Sequence, residues 1–198
     1  SLTNKILNNP KNVISSGINA RSQFNAIKKF QELKNFEKTL VLIPKKDYKE
    51  EIEQAIKESK LKAKKVFYYD TEPTKLTKQI EKITKYQIRK QNLEDEIKRV
   101  ENSNENNKEK KLENLNRRDT LGNIGYDSVV IADFDESLKS VSTSLLYTDV
   151  LPTNKYFITL NQWFDESLLN ETDIQPLYYP SINKENFDSY KIKYFNAF

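Results

Sequence analysis

The chain has 198 residues, 36% of them hydrophobic and 31% charged, with a net charge of +4 and no histidine, cysteine or methionine. That length suits one domain, or one lobe of a larger protein. The missing histidine and cysteine exclude thiol redox chemistry, most zinc sites and most nucleophilic mechanisms, leaving an enzyme only carboxylate, lysine or tyrosine chemistry.

Residues 1–19 are polar and rich in asparagine, with one short apolar pair at Val13 and Ile14, and read as a lead-in segment. A helix is predicted over residues 20–36, with Asn19 as its cap and Phe24, Ile27, Phe30 and Leu33 turned inward. Residues 40–43 form a continuous apolar run, as a strand buried on both faces should. Asp47 with Glu50 three positions on has the capping-box spacing, and Tyr48, Ile52, Ala55 and Ile56 share one face of the helix it would open. Residues 66–69 form the next strand, and Pro73-Thr74 opens a long helix.

That helix carries Leu76, Ile80 and Ile83 as a stripe, which Tyr86, Leu93, Ile97 and Val100 extend with gaps. Residues 102–107 are an asparagine-rich turn, and Leu112 and Leu115 mark a returning helix. A connection of this length far exceeds what a βαβ unit needs. It predicts a helical hairpin, about residues 75–121, standing away from the body. Between Lys75 and Arg118 there are thirteen basic and eight acidic residues, enough to account for the whole positive excess. Such a segment reads as a solvated hairpin of mixed charge, or as a basic surface facing an anionic polymer or an acidic partner. No recognition motif or interleaved aromatics accompany it, so nucleic acid is not expected.

Residues 128–132 are a third strand, and Leu138, Val141 and Leu145 mark an amphipathic helix. Residues 156–160 are a fourth strand and 176–179 a short fifth. In the closing segment, 184–198, Phe187, Tyr190, Tyr194 and Phe198 fall on one helical face, a pattern of core or docking surfaces. Strands alternating with helices predict an α/β fold with a parallel sheet of about five strands, crossover helices and the inserted hairpin. Such sheets hold ligands outside the carboxyl ends of their strands. Function is therefore sought in Lys46-Asp47-Tyr48, Asp70-Thr71-Glu72, Asp133-Phe134-Asp135 and Asn161-Gln162-Trp163. Three glycines cannot supply a GxGxxG or Walker loop. The pairs Asp133/Asp135 and Asp165/Glu166 read as helix caps and dipole partners more readily than as acid–base pairs.

Several stretches carry a family resemblance. Ile14-Ser15-Ser16-Gly17-Ile18, a helix, then residues 40–44 and Lys46-Asp47-Tyr48 resemble the opening of the second lobe of type I periplasmic binding proteins. Those proteins usually have Asp-Tyr-Gly where this chain has Asp47-Tyr48-Lys49. Tyr68-Tyr69-Asp70 leading to Leu76-Thr77-Lys78-Gln79-Ile80 is similar to the family's Tyr-Asp … Phe-Thr-x-x-Ile segment. The run from Gly125 through Tyr126, Asp127 and Ser128 to Val129 is similar to its Gly-Phe-Asp-Ala-Val strand. Residues 187–198 resemble its Phe … Tyr … Phe return helix. The charged insertion ending Arg117-Arg118-Asp119-Thr120-Leu121-Gly122 is similar to that of the proteobacterial penicillin-binding-protein activators, which are envelope lipoproteins.

The resemblance implies one lobe of that fold over residues 20–183. It makes 1–19 a lead-in from a missing lobe and 184–198 a helix returning toward it. The absent initiator methionine and the aromatic end at Phe198 are likewise expected of a piece of a longer chain. The resemblance further implies a non-catalytic, periplasmic protein with no cofactor and no metal. A membrane would be met only through a lipid anchor outside this stretch, since no apolar run here spans a bilayer. Its partner would be a small-molecule ligand or a peptidoglycan synthase. The alternatives are a solute receptor for an amino acid feeding a transporter, and a scaffold acting through the hairpin. By position, Tyr48, Glu72 and Asp133 would contact the ligand, with Thr71, Phe134 and Trp163 as neighbours. Tyr48 reads equally as packing on its own helix, and Asp133 as a helix cap.

Overall fold

The computed structural model describes residues 19–161, 167–181 and 183–197. The lead-in through Ile18, Trp163, the Asp165/Glu166 pair and Phe198 lie outside the described residues. Helix α1 (Ala20–Lys34) leads into β1 (Thr39–Pro44), followed by α2 (Lys49–Ser59), β2 (Lys65–Tyr69) and α3 (Pro73–Ile83). The hairpin arms α4 (Tyr86–Glu101) and α5 (Lys108–Asn116) come next, then β3 (Ser128–Ile131), α6 (Asp135–Tyr147) and β4 (Tyr156–Thr159). A short α7 (Ser167–Asn170), a 3₁₀ turn, β5 (Leu177–Tyr178) and α8 (Lys184–Ala197) complete the described chain.

The sheet has five parallel strands in the order β2-β1-β3-β4-β5. Every residue of β1 and β3 is buried, because helices cover both faces. The period of two along a strand divides the core. Leu40, Leu42, Val129 and Ile131 face the layer holding α3 and α6, where Leu76, Ile80, Leu138, Val141 and Leu145 meet them. Val41, Ile43, Val130 and Ile158 face the other layer, with Phe24 and Ile27 of α1 and Ile52 and Ala55 of α2. At about 1.5–3 kcal/mol for each large apolar side chain buried, these two clusters dominate the stability of the body.

Three local expectations are corrected. Leu33 does not turn inward but is 75% exposed, while Gln31 is buried. At 3.6 residues per turn Leu33 lies about 120° around α1 from Ile27, off the face set by Phe24 and Ile27. Asp47 caps nothing. The turn closes on Lys49 N donating to Lys46 O at 3.0 Å, so α2 starts one residue late, with Tyr48 at its cap position and no side-chain cap bond.

The long helix expected from Pro73 is two helices. Lys85 adopts the left-handed conformation with φ 54°, and the buried Thr84 bonds its hydroxyl back to Ile80 O at 2.7 Å. Thr84 O leaves the helical ladder to accept from Arg89 Nε at 3.0 Å. The break lets α3 lie along the sheet as the crossover helix while α4 departs from it. Lys75 and the rest of α3 therefore belong to the body, and the hairpin arms are α4 and α5, which pack on each other. Their buried residues Leu93 and Val100 lie outside both core clusters.

Candidate functional site

The chain runs from β1 outward to β2, then returns across β1 to β3 and continues to β4 and β5. The direction reverses between β1 and β3. In open α/β sheets such a switch point leaves a crevice at the carboxyl ends, because the flanking connections lie on opposite faces. The residues just past β1 and β3 here are Lys45–Tyr48 and Ala132–Phe134. The carboxyl edge expected from the sequence is thus narrowed to one place.

Asp133 is at its centre, with no exposed surface. Its Oδ1 accepts from Tyr48 Oη at 2.7 Å, Lys46 Nζ at 3.0 Å and its neighbour's backbone, Phe134 N, at 2.8 Å. Its Oδ2 accepts from Tyr69 Oη at 2.5 Å. Lys46 also donates to Ser137 Oγ on the first turn of α6, at 2.6 Å. Beneath, Thr159 Oγ1 donates to Ile131 O at 3.1 Å. One carboxylate therefore gathers the ends of β1, β2 and β3. Charge-assisted bonds of this kind are roughly twice as strong as neutral ones, and a buried carboxylate needs several of them.

The helix-cap reading of Asp133 is thereby set aside. The N-cap of α6 is Phe134, which makes no side-chain cap bond, and Asp133 binds across strands instead. Phe134 is half-buried and meets the Tyr48 ring edge-to-face at 5.8 Å between centroids. Of the six residues expected to form a ligand site, the structure brings three together: Tyr48, Asp133 and Phe134. Thr71 and Glu72 are exposed, and Glu72 caps α3, accepting from Thr74 N at 3.1 Å and pairing with Lys75 at 3.7 Å. Trp163 is outside the described residues. Lys46, Tyr69 and Ser137 were missed as members. Lys46 lies in a segment already singled out, but the hydroxyl of Tyr69 finds an acceptor 64 positions away, and no local pattern carries that.

Tyr48 also lines a groove of about 580 Å³ that runs from the start of α1 along the length of α2, together with Asn19, Asp47, Glu51 and Glu58. Its ring has Lys46 Nζ at 5.9 Å, within cation–π reach. What converges is a set of donors on an acceptor, in walls of aromatic and aliphatic carbon. Lys46 donates to both of its partners, Asp133 and Ser137. The chemistry on offer is the holding and orienting of a polar group.

Both tyrosine hydroxyls are kept neutral. Burial first, then the charge of and hydrogen bond to Asp133, push Tyr69 well above the ordinary tyrosine value of about 10. Burial and the same carboxylate raise Tyr48 likewise. In the unfolded chain each ionises as pH passes about 10; in the folded protein each stays protonated. The stability they contribute is therefore fully present below about pH 10 and falls above it, by about 1.4 kcal/mol per pH unit for each group. Tyr69→Phe should flatten the alkaline decline of the urea midpoint between about pH 8 and pH 11. An unchanged slope would show that this hydroxyl is not its source.

The chain matches no described protein family and no curated protein. Among solved structures it is similar to an extracellular ligand-binding receptor from Verminephrobacter eiseniae ef01-2, at 9% sequence identity and a TM-score of 0.43. The similarity covers 73% of this chain and 31% of the receptor's, so the chain spans under a third of that protein's length. Among the described residues no helix is long and apolar enough to cross a membrane, and no cluster of three or more metal-ligating side chains occurs.

Proposed function

We propose that this chain is one wall of a ligand-recognising, non-catalytic protein of the cell envelope, built as a lobe of the type I periplasmic binding protein fold. The observation that carries the reading is the Asp133 constellation at the β1/β3 switch point, where a rigid polar floor lies beside the aromatic wall of Tyr48 and Phe134. A small polar molecule with a charged group fits that chemistry, and an amino acid is the simplest case. The ligand is held from the other side by a second lobe, as in two-lobed receptors. One wall supplies only part of the contacts and does not exclude water, so this chain by itself binds weakly, at about millimolar Kd or above.

The test is calorimetric titration of this chain with a panel of amino acids and peptidoglycan fragments, repeated with Tyr48→Ala. Weak saturable heat with one class, reduced about ten-fold by Tyr48→Ala, is the expected result. Tight binding to this single wall would overturn the shared cleft. Heat unaffected by Tyr48→Ala would place the ligand elsewhere.

A second reading is an activator-like regulator of peptidoglycan synthesis, held at the membrane by a lipid anchor. It draws on the charged hairpin and on α8, whose Phe187, Tyr190 and Tyr194 are exposed. Silence from the whole panel, with capture of a peptidoglycan synthase that depends on the hairpin, would favour it.

A further inference from the structure

We propose that a second groove, at the opposite edge of the sheet where the hairpin is rooted, binds a small soluble anion bearing phosphate groups. The groove has a volume of about 630 Å³ and is lined from four directions. Arg117 and Arg118 close α5, Asn123 leads toward β3, Asp149 and Val150 follow α6, and Asn154 and Lys155 precede β4. It lies at the amino ends of the strands, so it is separate from the Asp133 site and independent of the function proposed there.

The charge balance selects the ligand. Four cations, Arg89, Arg117, Arg118 and Lys155, line the groove against two carboxylates, Asp119 and Asp149. Asp149 is already engaged, accepting from Thr120 Oγ1 and facing Arg89 Nη1 at 4.0 Å. Arg117 is paired with Glu113 on its own helix. Arg118 is exposed, and among the described residues its guanidinium has no ion pair. Lys155 is the most telling. Its ammonium donates at 3.2 Å to Asn123 Oδ1, a neutral acceptor, and burial draws it below the ordinary lysine range, with Asp127 acting the other way. A partly desolvated cation on a neutral partner gains most from an added anion. Guanidinium forks match the paired oxygens of a phosphate, and the amides of Asn123 and Asn154 supply neutral donors. Arg89, buried at the floor, adds positive potential without being free to move, since Thr84 O, Thr120 Oγ1 and Thr148 O hold it.

Inorganic pyrophosphate, titrated into this chain by calorimetry at ionic strength held constant with sodium chloride, tests the assignment. The expected result is saturable one-to-one binding. It should weaken about ten-fold or more in Arg118→Ala and in Lys155→Gln, since each loses a charge-assisted bond. Lys49→Ala, which removes a cation at the far edge, should leave it unchanged. Circular-dichroism melting checks that the variants fold; if Lys155→Gln does not, Arg118→Ala decides, because its side chain is exposed. Absence of saturable heat at matched ionic strength, or parent-like binding in Arg118→Ala, would overturn the proposal.

Discussion

Asp133→Ala is expected to destabilise the protein by about 3 kcal/mol or more, the scale seen when one partner of a buried charged pair is removed. The carboxylate has no exposed surface and accepts from Tyr48, Tyr69, Lys46 and Phe134 N. Alanine removes the acceptor of the fully buried Tyr69 hydroxyl, and that desolvation is not recovered from water. Lys46 retains 32% side-chain exposure and can turn to solvent, which keeps the loss at the lower end of the range. Asp133→Asn preserves the shape but turns one acceptor into a donor facing other donors, so about 2 kcal/mol should still be lost. Urea unfolding of the three proteins measures both values. A loss below about 1 kcal/mol in the alanine variant would mean that the tyrosines find other acceptors and that Asp133 does not organise the edge.

Arg89→Ala should cost a comparable amount, about 3 kcal/mol, for a related reason. The Arg89 side chain is 5% exposed, and burial draws its guanidinium below the ordinary arginine range while Asp149 acts against that. It donates to Thr84 O at 3.0 Å, to Thr120 Oγ1 at 2.9 Å and to Thr148 O, bracing the α3–α4 break against the loop before β3 and the end of α6. Leu121 N returns a bond to Arg89 O at 3.0 Å. Truncation leaves buried carbonyls unpaired. Arg89→Lys should not restore stability, because a single ammonium cannot reach acceptors spread along a planar fork. The contrast is with the hairpin beyond Arg89. Excising residues 94–115 and bridging them with a short glycine-rich linker should keep unfolding cooperative, with a loss of about 1 kcal/mol or less. Loss of cooperativity in that variant would show that α4 and α5 belong to the core. Parent-like stability in Arg89→Ala would show that the hairpin root is held by something else.

The α/β class and the five parallel strands could be read in advance because the signals are local. Apolar runs such as residues 40–43 and 128–132, bounded by polar residues and separated by helical stripes, state burial on both faces and the crossovers between them. The stripe of Leu138, Val141 and Leu145 has a single interpretation at 3.6 residues per turn, and all three are fully buried. Boundaries fared less well where a non-local contact competed with a local one. Asp47 has the spacing of a cap, yet the turn closing on Lys49 starts the helix one residue on, with Tyr48 directed to Asp133. The stripe from Leu76 to Val100 reads as one helix, but the bonds joining Thr84 O and Arg89 break it at Lys85.

By itself the sequence determined the fold class, the order of the strands and the main crossover helices between them, and the absence of histidine and cysteine chemistry, since periodicity and composition are properties of neighbouring residues. It also pointed to the segments after the strands, and so to Tyr48, Asp133 and Phe134. Only the tertiary structure decided that β1 and β3 are adjacent at the reversal of strand order, because pairing joins residues some ninety positions apart, as in Leu42 with Ile131. That adjacency gathers Lys46, Tyr48 and Tyr69 around one buried carboxylate and leaves Thr71 and Glu72 on the surface. The same folding brings Arg118 and Lys155 to one groove from opposite sides of β3. Charges that are scattered along the chain become a site only when the sheet closes the distance between them.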